Sequence, residues 1–158
     1  MRILAIDPGY DRLGIAILEG DPSRPLVLKS DCVTPAKGAR EKRLALVAAA
    51  VREAIGAYAP DAVALETLFF STNRKTALGV AEARGAVLTM AGLAGLPVIE
   101  CSPQQVKLAV TGHGAATKAD ISRMVPRLVA LPAKKRLDDE LDAIAVGIAG
   151  LSLGLPRA

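Results

Sequence analysis

At about residue 39 the hydrophobic period of this chain changes, and that change constrains its fold more than any other feature. Before it stand three short apolar runs, Arg2–Ile6, Gly14–Leu18 and Leu26–Lys29. Asp7-Pro8-Gly9 halts the first, and Gly20, Pro22 and Pro25 part the other two, so the runs read as an antiparallel meander. From Ala39 onward Leu44, Val47, Val51, Ile55 and Tyr58 recur at helical spacing, which predicts an amphipathic helix ending before Pro60. Asp61–Leu65 reads as a fourth strand, Asn73 to about Leu93 as a long helix, and Leu96–Glu100 as a fifth strand. Ser102-Pro103-Gln104-Gln105 and Thr117-Lys118-Ala119-Asp120 each carry an N-cap residue with its capping-box partner, so two helices start there. A last helix is expected from about Asp138 to about Leu151. Three antiparallel strands followed by alternating helices and strands predict an α/β fold, a five-stranded mixed sheet flanked by helices.

Composition narrows the class further. At 158 residues the chain is expected to form one domain, 1–158. A hydrophobic fraction of 51% excludes a disordered chain, because apolar burial can offset the entropy of ordering. With aromatics at 3% and no Trp, the core must be built from Ala, Val, Leu and Ile. The longest uncharged stretches, Gly85–Ile99 and Ala143–Pro156, are broken by Gly or Pro and fall short of a membrane span. Asp7 follows the first apolar run too early for a secretory signal, so a soluble, cytoplasmic protein is expected. Cys32 and Cys101 lie far apart with no C-x-x-C, which argues against disulfides and thiol zinc sites and leaves them as small core residues. His113, the one histidine, stands in a Gly-rich loop where solvation is its ordinary fate.

Net charge is +4, a mild preference for polyanions. The basic residues cluster at Lys37, Arg40, Lys42 and Arg43, at Arg74 and Lys75, and at Lys134, Lys135 and Arg136, with Lys107 and Lys118 standing apart. Any one cluster reads as a solvated loop or helix end. Together they outline a nucleic-acid surface.

Asp7 and Glu66 each close an apolar strand at its carboxyl end, the edge where open α/β sheets bind ligands. The last helix adds Asp138, Asp139, Glu140 and Asp142. Its core stripe is expected to be Leu141, Ile144, Ala145, Ile148 and Leu151. Acids in a first turn complement the helix dipole, which accounts for Asp138 and Glu140. Asp142 lies over Ala145, Val146 and Ala149, a small apolar face, and Asp139 shares its side of the helix. Inward-pointing acids repel unless a cation or proton intervenes, and hard oxygen ligands suit Mg²⁺ or Mn²⁺. If the helix begins at Asp138, that residue is its N-cap. Helix spacing also permits Asp138 to pair with Asp142.

The stretches Ile3-Leu4-Ala5-Ile6-Asp7-Pro8-Gly9, Ala64-Leu65-Glu66-Thr67-Leu68-Phe69, Ala83-Arg84-Gly85, Gln105-Val106-Lys107 and Asp139-Glu140-Leu141-Asp142-Ala143 resemble the RuvC family of Holliday-junction resolvases, in the family's order and spacing. The resemblance implies an RNase H-like fold and a four-carboxylate site of Asp7, Glu66, Asp139 and Asp142 holding two Mg²⁺. Family spacing favours Asp139 over Asp138. It further implies a homodimer that nicks two strands of a four-way DNA junction and works with the branch-migration proteins RuvA and RuvB. Lys107 and Lys118 match family lysines near the DNA, with Lys118 also placed to offset phosphate charge during the reaction. Phe69 matches an aromatic that acts at the crossover, which leaves Phe70 to bury beneath the loop; Arg74 and Lys75 extend the DNA-binding set. Some members have histidine where Asp139 stands, and some carry a C-terminal tail beyond the position of Ala158.

Two other enzyme or ATPase readings and one binding reading compete. A YqgF-type RNA-processing nuclease would share the fold but not Phe69 and the helix from Asn73 to about Leu93, apolar nearly all the way round, whose second side calls for another helix or another subunit. A non-catalytic junction-binding module would have no use for an acid on the apolar face that carries Asp142. An actin-like ATPase half would need a second domain to close over nucleotide.

Overall fold

The structure is a computed structural model that describes residues 1–9, 11–67, 74–131 and 136–155, with backbone only for 74–76. Its strands are β1 (Arg2–Pro8), β2 (Leu13–Glu19), β3 (Leu26–Val33), β4 (Ala62–Glu66) and β5 (Val98–Cys101). Its helices are α1 (Arg40–Tyr58), α2 (Arg74–Leu93), α3 (Pro103–Thr111), α4 (Lys118–Leu128) and α5 (Asp138–Leu153). The sheet order is β3-β2-β1-β4-β5, antiparallel through β3, β2 and β1 and parallel from β1 through β4 to β5. Among the described residues no helix is long and apolar enough to cross a membrane.

Alternation along the strands divides the core into two layers. Leu4, Ile6, Ile15, Ile17, Val63 and Leu65 face one way and pack with Val47 and Val51 of α1 and Val87 and Ala91 of α2. Ile3, Ala5, Ala16, Leu18, Ala62 and Ala64 face the other and pack with α3, α4 and α5. The second face is rich in alanine, and α5 answers it with Ala143, Ala145, Gly147, Ala149 and Gly150, all buried. A Cβ on Gly147 would lie 2.3 Å from Leu18 Cδ1, and one on Gly150 would lie 2.7 Å from Ala64 Cβ, so α5 sits closer to the sheet than any larger residue permits.

Both capping boxes form as the sequence spells them: Ser102 with Gln105, and Thr117 with Asp120. The start of α5 differs from expectation. Its N-cap is Leu137, with no side-chain cap, so Asp138 is already inside the helix and exposed. The core stripe is also wider than expected, because α5 is covered on every side from Ala143 to Leu151, while Leu141 is only half-buried. On α2, by contrast, one narrow stripe of Gly79, Ala83, Val87 and Ala91 is buried, and Leu78, Leu88 and Leu93 stand exposed.

Candidate active site

Asp7 lies in β1 directly opposite Gly14 of β2, and the parallel register Ile6↔Leu65 carries it alongside Glu66 at the end of β4. Asp7 continues the parity of Ile3 and Ala5, and Glu66 that of Ala62 and Ala64, so both acids belong to the face covered by α5. The first turn of α5 comes down over this edge because Gly14 has no side chain to hold it off. Asp142 thereby comes within electrostatic reach of both strand acids, and Asp139 of Asp7.

The cost of this crowding appears in the protonation of the acids. Asp7 is pushed up to about 7, first by burial and then by the charges of Asp142, Glu66 and Asp139. Burial also raises Glu66, helped by Asp142 and opposed by Lys118 and Lys107. Asp142 is raised by burial although Lys118 Nζ stands 2.6 Å from its Oδ2. Burial works to lower the Lys118 ammonium, but the hydrogen bond and charge of Asp142, with Asp7, prevail and raise it. Asp139 Oδ2 is shut off from solvent and has Arg12 Nε at 3.0 Å as an ion partner, yet no N–H or O–H is aimed along a hydrogen-bond direction at it.

Among the described residues no three metal-ligating side chains close into a ready cage. The donor set nevertheless fits a hard divalent cation. All four groups are carboxylates, they repel one another, one buried oxygen lacks a hydrogen bond, and an ammonium stands against Asp142 where a cation would be welcome. Glu66, Lys107, Lys118 and Asp142 line an open cleft of about 260 Å³ beside this edge. Lys107 is half-buried, and Lys118 has most of its side chain exposed.

Other expected residues fall elsewhere. Phe69 and Phe70 lie outside the described residues, as do Lys134, Lys135 and the side chains of Arg74 and Lys75. Arg40 and Arg43 are spent on Glu82 and Asp11, at 3.0 and 2.9 Å. Arg136 is not part of a solvated run: it is nearly buried, with Nε 3.1 Å from Glu140 Oε1. Glu140 is no dipole-facing surface acid either. It is 4% exposed and accepts a hydrogen bond from Ser30 Oγ at 2.6 Å. Cys101 is buried as expected, whereas Cys32 is only half-buried, its thiol pushed up by burial and by Asp139. His113 is exposed.

What four residues do around the acids was not legible in the sequence. Gly14 and Arg12 gave no signal of their own, since their meaning lies in what α5 brings to them. Arg84 stood in a recognisable stretch without a function. Its Nη1 donates to the Glu66 carbonyl at 2.8 Å, and Nη2 bonds to the Glu100 carboxylate. Glu140 was visible as an acid but not as a buried one.

Sheet order, the strand-ending positions of β1 and β4, and the helix laid across them define a protein of the RNase H-like fold class. Comparison with known proteins narrows this. The family model described as "Crossover junction endodeoxyribonuclease RuvC" matches residues 3–150. A relative of that description from Moorella thermoacetica is 44% identical over 149 residues, covering 94% of this chain and 89% of the relative. The solved structure of Thermus thermophilus RuvC in complex with Holliday junction substrate superposes with a TM-score of 0.87 at 32% identity, over 94% of this chain and 92% of that one. The yeast mitochondrial Holliday junction resolvase Ydc2 shares the fold, with a TM-score of 0.69 at 9% identity over 95% of this chain and 78% of that one. The chain belongs to the RuvC family of crossover junction endodeoxyribonucleases.

Proposed function

We propose that this chain resolves four-way DNA junctions by paired nicks in strands of like polarity, in recombination and repair, using Asp7, Glu66, Asp139 and Asp142 to hold divalent cations. The observation that carries the reading is geometric: Asp7 and Glu66 stand at the ends of neighbouring parallel strands under the first turn of α5, which carries Asp139 and Asp142, a crowding of acids that added positive charge would relieve. These four carboxylates would hold Mg²⁺ (two ions per site, with Mn²⁺ an alternative), which would supply water activation and offset charge on the leaving oxygen. The residues do the rest. Asp7 must give up its proton to hold a cation, so cation binding is coupled to proton release and weakens as pH falls below about 7. Lys118, the neighbour of Asp142, is placed to trade that carboxylate for a phosphate oxygen, and Lys107 flanks the same cleft. Phe69 would stack on a base at the crossover, and Arg74 and Lys75 would bind the backbone beside it.

The exposed stripe of α2, with Leu78 and Leu88 around Gly85 and Gly92, supports a homodimer in which a second copy covers it. Two sites would then act on one junction. By family resemblance, RuvA and RuvB would deliver that junction.

The test is a labelled four-way junction beside a linear duplex of the same sequence, each with and without Mg²⁺. Symmetric cuts in the junction alone, and only with Mg²⁺, are expected. Cutting without a divalent ion, or equal cutting of the duplex, overturns the proposal.

A further inference from the structure

Arg84 holds the backbone of Glu66 from the wrong side of the sheet, and that placement gives it a role. Leu65 pairs with Glu100, and Leu65 belongs to the core layer beneath α1 and α2. Glu66, one residue on, belongs with Ala64 to the opposite layer, toward α5. Arg84 therefore approaches from the α2 layer, where the Glu100 carboxylate receives one arm of its guanidinium, and the other arm reaches the Glu66 carbonyl. The Arg84 side chain is 12% exposed and Glu100 is 53% exposed, so the arginine is fixed in the protein while its counter-charge remains wet. A guanidinium suits this because its planar fork offers two donors in fixed relation, which an ammonium does not. Beyond Glu66, Thr67 N–H is held in turn by the Cys101 carbonyl at 2.9 Å.

We propose that Arg84 is a positioning residue for the reaction. By gripping the Glu66 carbonyl it sets where that carboxylate stands at the end of β4, and it ties that position to α2. Carboxylates that act together must be held to within a fraction of an ångström, and a backbone anchor under one of them is a direct way to do so. The role extends from one layer of the fold to the site in the other. It rests on Glu66 being one of the acting acids.

The experiment compares Arg84→Met, Arg84→Lys and Glu66→Gln in single-turnover cleavage of a labelled junction at saturating protein. Junction affinity, melting temperature and the rise in melting temperature on adding Mg²⁺ are read alongside. Arg84→Met is expected to cut ~10–100-fold more slowly, the scale of a small misplacement of a reacting group, with junction affinity kept and the Mg²⁺-induced rise reduced. Arg84→Lys, which keeps the charge but not the fork, is expected to recover part of the rate and to remain below wild type. If Arg84 only pins α2 to the sheet, Arg84→Met melts lower but cuts at the wild-type rate, and that result overturns the proposal. Should Arg84→Met fail to fold, a wild-type rate from Arg84→Lys overturns it equally. Glu66→Gln separates the two readings: normal cutting there removes the acid from the site, whereas a dead Glu66→Gln with a fully active Arg84→Met removes only Arg84.

Discussion

The Cβ that Gly14 lacks would lie 2.0 Å from the carbonyl oxygen of Asp139 and 2.7 Å from its carbonyl carbon. Gly14 is also the residue opposite Asp7. The obstacle is backbone, which cannot rotate aside as a side chain could. Gly14→Ala must therefore lift the first turn of α5 from β2 and carry Asp139 and Asp142 with it. Cleavage is expected to fall by ~100-fold, with ~1–3 kcal/mol of stability lost to overpacking. Single-turnover cleavage and thermal melting check both; wild-type cutting would show that α5 need not touch β2 for the acids to work.

Asp7 ties the stability of the metal-free fold to pH. Its carboxyl titrates at about 7 in the folded protein and at the ordinary 3.8 when unfolded. Between those values the folded state holds the extra proton, so its contribution is full below 3.8 and is lost as pH rises through about 7. Asp7→Asn, which never ionises, should melt like wild type at pH 4 and higher than wild type at pH 8 without metal. Each kcal/mol of repulsion relieved is worth ~2–4 °C for a chain of this size. Added Mg²⁺ should raise wild type at pH 8 and leave Asp7→Asn nearly unmoved. Equal melting of the two proteins at pH 8 would contradict the crowding.

Asp138 and Asp142 separate structure from chemistry. Asp142→Asn is expected to bind junctions and fail to cut, a loss of ~100-fold or more, since disturbing a mere supporter of a ligand already costs ~10–100-fold. Asp138 is exposed and caps nothing, so Asp138→Ala should still cut and shift stability by no more than about 0.5 kcal/mol. A dead Asp138→Ala beside an active Asp139→Ala would move the ligand assignment by one residue.

The pair Arg136 and Glu140 should be costly to break. Arg136→Met leaves a buried carboxylate without its cation and is expected to cost ~3–5 kcal/mol. Ser30→Ala removes one hydrogen bond to that charge, for ~1.5–3 kcal/mol. Denaturant titration measures both, and a ranking in the reverse order would show that Ser30, not Arg136, carries the carboxylate.

The exposed leucines of α2 predict assembly. Leu88 is 38% exposed and Leu78 60%. In sedimentation at micromolar concentration wild type should run as a dimer of 16.3 kDa chains, and Leu88→Glu as a monomer that makes single, unpaired nicks. A wild-type monomer that still makes paired nicks would contradict the dimer.

Much of this fold could be read from local signals. The change of period near Ala39, the strand-ending acids and the two capping boxes are short-range features, and each lies where it was expected. What stayed hidden depends on distant partners. Glu140 resembles any first-turn acid until Ser30, 110 residues earlier, is brought beneath it by β3. Arg136 sits in a basic run and reads as solvated, because nothing in the run marks which cation turns inward. Leu137 takes the N-cap position that Asp138 has the better side chain for, since the fold, not the cap, fixes where α5 begins. The acids of the site were legible as residue types at strand and helix ends. Gly14 and Arg84, which hold them in place, act through contacts that no local pattern records.

The burial of α5 on almost every side has a consequence in time as well as in space. With no residue from Ala143 to Leu151 facing solvent, local opening of that segment costs much of its packing, so its amides are expected among the slowest in the chain to exchange with solvent deuterium. Asp142 adjoins that segment and Asp139 stands one turn before it. The half of the acid cluster carried by α5 is thus rooted in a slow-opening segment, while its own uncapped first turn keeps the freedom to adjust.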